Sequence, residues 1–208
     1  MYAIITDGSI SKYINHPKSL VIGDVRYPAK IFSLWTASEL AAIGIYEITF
    51  DDSKKKDETY YINTNQTFTY DADAGTVTAA YGDATPKAHA DTLFTAQDET
   101  DGKGTEGEIA TRGLKYNFIK TIKAQAAGIL QDTDWYILRK ADADTDVPSA
   151  ITTFRAAVRT KAAAMETLIT NASNTAAIET LYTYVNTADE GDPRVLERPL
   201  GEFPVLGS

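Results

Sequence analysis

The sequence predicts an α+β protein: a small N-terminal antiparallel β-sheet with one short helix, then a helical region and an extended tail. Short apolar runs separated by turn residues fill residues 1–84, which is typical of strands. Apolar residues recur every three or four positions over residues 114–190, which is typical of amphipathic helices. Between them, residues 85–113 read as an acidic linker, and residues 191–208 as an extended, proline-containing tail.

The β-rich region begins with a hairpin signal. The apolar run of residues 1–6 is followed by Asp7-Gly8, and residues 9–14 then alternate partly between apolar and polar. Asp-Gly between two such runs is the strongest short-range signal for a two-residue hairpin. Further strands are predicted at residues 45–50, 59–62, 67–71 and 76–81.

One short helix interrupts these strands. Thr36 and Glu39 have the spacing of a capping box, in which each side chain bonds the other residue's free backbone N–H. Gly44 stands where a helix C-cap glycine belongs. A two-turn helix is therefore predicted over residues 36–43.

Tyrosine is frequent in the predicted strands, at Tyr46, Tyr60, Tyr61, Tyr70 and Tyr81. Half-buried sheet positions suit tyrosine because the ring packs while the hydroxyl stays in water. We interpret these residues as sheet packing. The alternative interpretation is an aromatic face that binds a ligand, such as a host glycan.

The stretch 85–113 carries few large apolar residues, mainly Leu93, Phe94 and Ile109. A segment with so little to bury does not offset its ordering entropy alone, so we expect it to be mobile or held against a partner. Its glycine pattern over residues 102–107 matches a dinucleotide loop in spacing only. That motif needs a preceding strand and a following helix, and neither is indicated, so a flexible linker is favoured.

Four helices are predicted after the linker. The first carries Leu114, Phe118, Ile122 and Ile129; the second is capped by Thr133 and carries Trp135 and Leu138; the third begins near Pro148 and carries Ile151, Phe154, Val158, Met165, Leu168, Ile169 and Ala172; the fourth is capped by Asn174 or Ser173 and carries Ile178, Leu181, Tyr182 and Val185. Apolar stripes on every helix predict a small bundle or pairing with another chain, so a homo-oligomer is one open alternative.

The tail has spaced prolines and apolar residues, among them Leu200, Phe203, Pro204, Val205 and Leu206. Two interpretations are open. The tail docks on a partner in an extended form, or it folds back over its own bundle.

Composition bounds the function. The formal charge of −9 argues against a nucleic-acid partner, because such binding depends on Lys and Arg releasing counterions from phosphates. No apolar run reaches the length of a membrane span, and no secretory signal is evident at Met1. The absence of cysteine excludes disulfides and thiolate chemistry and suits cytoplasmic synthesis.

No catalytic, cofactor or metal site is predicted. The first ligand positions of an EF-hand calcium loop are matched in spacing by Asp142, Asp144 and Asp146. The glycine and glutamate that the loop also requires are missing. We expect a solvated turn in which one aspartate caps the following helix. The two histidines, His16 and His89, lack the sequence context of a nucleophilic triad.

Residues 133–159 form the most informative stretch of the sequence. The pieces are Thr133-Asp134-Trp135, Arg139, Val147-Pro148, Phe154-Arg155 and Val158-Arg159. This segment resembles the C-terminal part of tail-fibre assembly and tail accessory proteins of tailed bacteriophages, and the start M-Y-A-I-I-T-D-G-S-I reads like marine phage tail proteins. Phe154 stands where that motif more usually has tyrosine, and a fourth helix and tail continue where many fibre chaperones end.

The resemblance implies a non-enzymatic tail protein that binds a tail-fibre or baseplate protein. It implies either a virion structural subunit or a fibre-assembly chaperone, located in the virion tail or in the host cytoplasm during assembly. A host-receptor or glycan-binding module is the alternative, and an envelope-degrading hydrolase a more remote one. The predicted partner-binding residues are Trp135, Arg139, Phe154, Leu200, Phe203, Pro204 and Leu206.

Trp135 and Arg139 lie four residues apart on the second predicted helix. One interpretation makes Trp135 an anchor of the bundle, with the arginines, Arg155 and Arg159 included, in exposed ion pairs. The other makes Trp135 and Arg139 an interface anchor, because Trp and Arg are over-represented among residues that dominate binding energy.

Overall fold

The computed structural model describes residues 1–64 and 66–207. It divides into two compact units, Met1–Thr85 and Pro86–Ser208. The first is rich in strands and the second in helices, so the predicted α+β class is confirmed. The boundary falls beside the predicted end of the β-rich region.

A five-stranded sheet forms the centre of the first unit. The elements of this unit are β1 (Tyr2–Thr6), β2 (Ser9–Ile14), β3 (Leu20–Ile22), β4 (Val25–Tyr27), α1 (Ile31–Leu34), α2 (Ala37–Ala41), β5 (Ile45–Asp51), β6 (Tyr61–Ile62), β7 (Thr67–Asp71) and β8 (Thr76–Ala80), with β9 (Thr85–Pro86) at the boundary. The strand order is β2-β1-β5-β8-β7. All pairings in it are antiparallel except that of β5 with β8, which is parallel. The β7–β8 hairpin places β8 next to β5 and β7 at the edge of the sheet.

The predicted hairpin and capping box both form. Asp7 and Gly8 have φ angles of 51° and 73°, so both central turn residues are left-handed, as a type I′ turn requires. At α2, the Thr36 N–H donates to Glu39 Oε2 over 2.7 Å, and the Glu39 N–H donates to Thr36 Oγ1 over 3.3 Å. Local sequence signals therefore set both features.

Each face of the sheet has its own apolar core. Successive residues of β1 point to opposite faces, so Ala3 and Ile4 belong to different clusters. One cluster comprises Ile4, Ile14, Leu20, Ile31, Leu40 and Ile45, and the other Ala3, Ile48, Val77 and Ala79. Strands buried on both sides explain why this part of the sequence alternates only in part.

The second unit is built around α4 and α6. Its elements are β10 (Thr92–Leu93), α3 (Ala96–Thr100), β11 (Ile109–Thr111), α4 (Leu114–Gln131), α5 (Asp134–Ala143), α6 (Ser149–Asn171), α7 (Thr175–Tyr182), β12 (Val185–Asn186) and β13 (Leu196–Glu197). The core comprises Ile122, Ala126, Val158, Ala162, Met165, Ile169 and Leu200. No helix among the described residues has the length and apolar character needed to cross a bilayer.

The segment expected to be a linker is folded. It contains α3 and the β10–β11 pair, and it supplies hydrogen-bond partners to the free N-terminus of α4. The Leu114 and Lys115 N–H groups donate to the carbonyls of Ala88 and His89, and the Gly113 N–H donates to an Asp91 carboxylate oxygen over 2.8 Å. Hydrogen bonding rather than apolar burial orders this stretch, which is why its composition misled the prediction.

The tail folds back over its own helices. Leu200 is fully buried in the core of the second unit, and its N–H donates to the Leu181 carbonyl over 3.0 Å. The prediction of an exposed, partner-binding Leu200 is therefore wrong. The expected Asn174 cap of α7 forms, whereas Val185, expected on the same helix, lies beyond the helix end in β12.

Candidate protein-binding surface on the helical unit

Helix α5 leaves its apolar side chains uncovered. Trp135, Ile137 and Leu138 are 48%, 44% and 69% exposed, and no residue of α5 is buried. A ten-residue helix that leaves three large apolar side chains in water gains little stabilisation from packing against its own unit. We define the α5 surface as Trp135, Tyr136, Ile137, Leu138 and Arg139.

Two rings and a guanidinium form a cluster on the α5 surface. The Trp135 and Tyr136 ring centroids lie 3.9 Å apart, and the Arg139 guanidinium carbon lies 4.7 Å from the Trp135 centroid and 5.6 Å from that of Tyr136. The buried Arg139 Nε has no hydrogen-bond partner, and none of the described carboxylates pairs with this side chain. Cation–π contacts hold the guanidinium against both rings.

A buried arginine of α6 holds the start of α5. Arg155 Nη1 donates to the Leu130 carbonyl over 2.8 Å and to Thr133 Oγ1 over 2.6 Å, while Nη2 lies 2.8 Å from Asp134 Oδ1. Two expectations are thereby corrected. Arg155 is buried rather than in an exposed pair. Thr133 makes no side-chain cap; its hydroxyl accepts from Arg155 and donates to the Leu130 carbonyl.

At the C-terminal end of α5, one lysine forms ion pairs with two carboxylates. Lys140 Nζ lies 2.7 Å from Asp144 Oδ1 and 2.8 Å from Asp146 Oδ1. The hydrogen bonds to Asp144 and Asp146 raise the pKa of Lys140, and the bond from Lys140 lowers the pKa of Asp146. The expected aspartate cap of the following helix is wrong, because Pro148 stands at the N-cap and no side chain caps it.

A second feature lies where the tail crosses α4 and α6. Phe203 and Pro204 are half-buried there, and a cavity of about 390 Å³ opens on one side of them, lined among others by Ile129, Thr133 and Phe154. A cavity of about 430 Å³ opens beside α6, lined among others by Phe154 and Ala157. We call this region, with Phe154 between both cavities, the tail groove.

The predicted partner-binding residues fall into three places. Trp135 and Arg139 lie together on the α5 surface; Phe154, Phe203, Pro204 and Leu206 all line the tail groove; Leu200 is in the core. Sequence reasoning missed Tyr136 and Ile137, although exposed apolar residues next to Trp135 are a signal for them. The anchoring role of Arg155 was missed as well.

The other candidate sites lack a supporting geometry. The glycine pattern at residues 102–107 follows helix α3 and precedes strand β11, which reverses the strand–loop–helix order of a dinucleotide site. Tyr60 and Tyr61 are buried, and Tyr46 and Tyr70 contact each other with their hydroxyls 3.2 Å apart. No group of three metal-ligating residues occurs in the part of the chain that the structure describes.

Comparison of the chain with protein-family models, with curated proteins and with solved structures found no match. The function is therefore inferred from the α5 surface and from the sequence of residues 133–159.

Proposed function

We propose that this chain is a non-enzymatic bacteriophage tail protein that binds a tail-fibre or baseplate protein through the α5 surface. The exposure of Trp135, Ile137 and Leu138 on one short helix carries the proposal. Interface hot spots are enriched in Trp, Tyr and Arg, and the α5 surface supplies all three in contact with one another. The structure thus supports an interface anchor for Trp135 rather than an anchor of the bundle.

The α5 surface is also held in position before binding. The bonds of Arg155 to Leu130, Thr133 and Asp134 tie the start of α5 to α4 and α6. A pre-organised surface loses less conformational entropy on association. The class of partner comes from the resemblance, which spans α5 and the first half of α6.

Co-purification with the product of the adjacent tail-fibre gene tests the proposal. We expect the wild-type chain to retain that product, and the Trp135→Ala/Leu138→Ala variant to bind it about thirtyfold or more weakly, as a loss of about 2 kcal/mol implies. Leu34→Ala is the matched control, because Leu34 is a 74% exposed leucine of the first unit. Equal binding by all three proteins would contradict an α5 interface.

Mass spectrometry of purified particles separates the two roles within this function. Stoichiometric presence of the chain identifies a structural subunit. Its absence, with loss of fibres when the gene is deleted, identifies an assembly chaperone. Intact, fibre-bearing particles that lack the chain and form without its gene would contradict both.

A further inference from the structure

The tail fills its groove incompletely. The cavities of about 390 and 430 Å³ flank the same tail residues, and both are lined mainly by apolar side chains and by Phe154. Within the tail, Val205 and Leu206 line these cavities yet remain 71% and 47% exposed. Both cavities are open to solvent, so the tail covers the apolar lining of its groove only in part.

The tail is anchored upstream of the groove as well as within it, where Phe203 packs against the core of the unit. Leu200 is the buried anchor, and Arg198 holds Glu202 through two contacts, Nε to Oε1 at 2.7 Å and Nη2 to Oε2 at 2.8 Å. The Tyr184 hydroxyl also donates to Glu202 Oε1. Displacement of residues 203–207 therefore gives up the packing of Phe203 but leaves the tail attached at Leu200.

We propose that the tail groove binds an extended, proline-containing apolar segment of the partner protein, which displaces residues 203–207. This inference takes the existence of a tail partner from the proposed function and adds the chemistry of its segment. Phe203-Pro204 shows which chemistry fits: a ring against the core of the unit and a proline between the two cavities. Proline also limits the unbound segment to few conformations, which reduces the entropy lost on binding.

The chain's own tail then acts as a competitor. A tethered segment competes at an effective concentration on the order of millimolar, so a free segment binds the wild-type chain weakly. Weakening the tethered segment increases the fraction of open groove and strengthens the apparent affinity by the same factor.

The probe is a fluorescein-labelled peptide with the sequence of residues 199–207, P-L-G-E-F-P-V-L-G. We expect it to bind full-length Phe203→Ser/Pro204→Ser at least about tenfold more tightly than it binds the wild-type chain, as measured by fluorescence anisotropy. Adding Ala157→Glu should abolish this gain, because Ala157 is an exposed residue of α6 that lines one cavity. A peptide with serine at the phenylalanine position is the matched control.

Circular dichroism must first show that every variant retains its helices. Equal affinity for the wild-type and double-serine chains, or no binding by either, overturns the inference. Sedimentation of the wild-type chain adds a second criterion: a dimer that the double-serine substitution dissociates would identify a second copy, rather than a partner protein, as the occupant, and would also overturn it. Because the peptide assay involves no phage component, its failure is distinct from failure of the co-purification test.

Discussion

At the scale of single residues, the least expected finding is a buried cation in the helical core. Arg155 follows Ile151 by four residues and precedes Val158 by three, so it occupies the buried stripe of α6. Its charge is accommodated because three oxygen acceptors surround the guanidinium. The periodicity of α6 indicates this burial, but a residue-type rule that places arginine at the surface hides it.

Replacing Arg155 should destabilise the second unit. Arg155→Ala empties a buried position and removes the guanidinium that bonds the Leu130 carbonyl, the Thr133 hydroxyl and the Asp134 carboxylate, so we expect the free energy of unfolding to fall by about 2–4 kcal/mol. Urea denaturation followed by circular dichroism measures the change. Arg159→Ala is the control, since Arg159 is exposed on the same helix, and its effect should stay below about 0.5 kcal/mol. Similar effects for both variants would refute the anchoring role.

A glycine in the first unit provides a second matched pair. Gly44 has φ +77°, and a Cβ placed there would lie 2.8 Å from the Ile5 carbonyl oxygen, whereas Gly23, at φ +58°, has open space around it. Gly23→Ala should cost about 1 kcal/mol for its left-handed backbone alone. Gly44→Ala should cost roughly 1–3 kcal/mol more, because the added methyl group also clashes with backbone. Thermal unfolding of both variants checks this difference, and equal costs would contradict it.

At the scale of elements, sequence reasoning succeeded where the signal was local. The Asp7-Gly8 turn, the Thr36–Glu39 capping box and the Asn174 cap each depend on residues within three positions of one another. It failed where distant segments decide the outcome: the parallel placement of β8 beside β5 and the capping of α4 by residues 88–91. The same holds for the candidate site. The proximity of Trp135 and Arg139 could be predicted from their helical spacing, whereas the burial of Leu200 depends on distant helices and could not.

Helix α3 should respond to acid through its capping box. The Thr95 N–H and hydroxyl donate to Asp98 over 3.0 and 2.7 Å, and together with Lys103 they lower the pKa of Asp98 from 3.8 to about 2. A lowered pKa means that the ionised carboxylate stabilises the folded helix above pH 3.8, and that this contribution disappears as the pH falls towards 2.

The carbon-13 shift of the Asp98 carboxyl group should therefore titrate with a midpoint near pH 2, with the Cα secondary shifts of α3 decreasing over the same interval. Thr95→Ala and Lys103→Met should each move the midpoint upward, because each substitution removes a hydrogen bond that lowers the pKa of Asp98. A midpoint that stays near pH 3.8 in the wild-type chain would refute the capping box in solution.

At the scale of the whole molecule, each unit has its own core. The clusters around Ile45 and Val77 belong to the first unit, and the cluster around Met165 belongs to the second. The chain has two tryptophans, and each unit contains one, Trp35 in the first and Trp135 in the second. Fluorescence of single-tryptophan variants can therefore follow each unit separately.

The buried tail residue Leu200 offers a test of this organisation. Leu200→Ala removes a fully buried side chain from the second core, so we expect the free energy of unfolding of the second unit to fall by about 2–5 kcal/mol. In a Trp35→Phe background, the transition reported by Trp135 should shift to lower urea concentration. In a Trp135→Phe background, the transition reported by Trp35 should stay in place, because none of its core contacts has changed.

Leu206→Ala is the matched control for that experiment, because Leu206 is a tail leucine with 47% of its surface exposed. Its substitution should change the free energy of unfolding reported by Trp135 by less than about 1 kcal/mol, because it removes little buried apolar surface. Equal effects of the two leucines would show that the tail is not docked at Leu200 in solution. A joint shift of both tryptophan transitions in Leu200→Ala would show instead that the two cores unfold as one cooperative body, against the prediction.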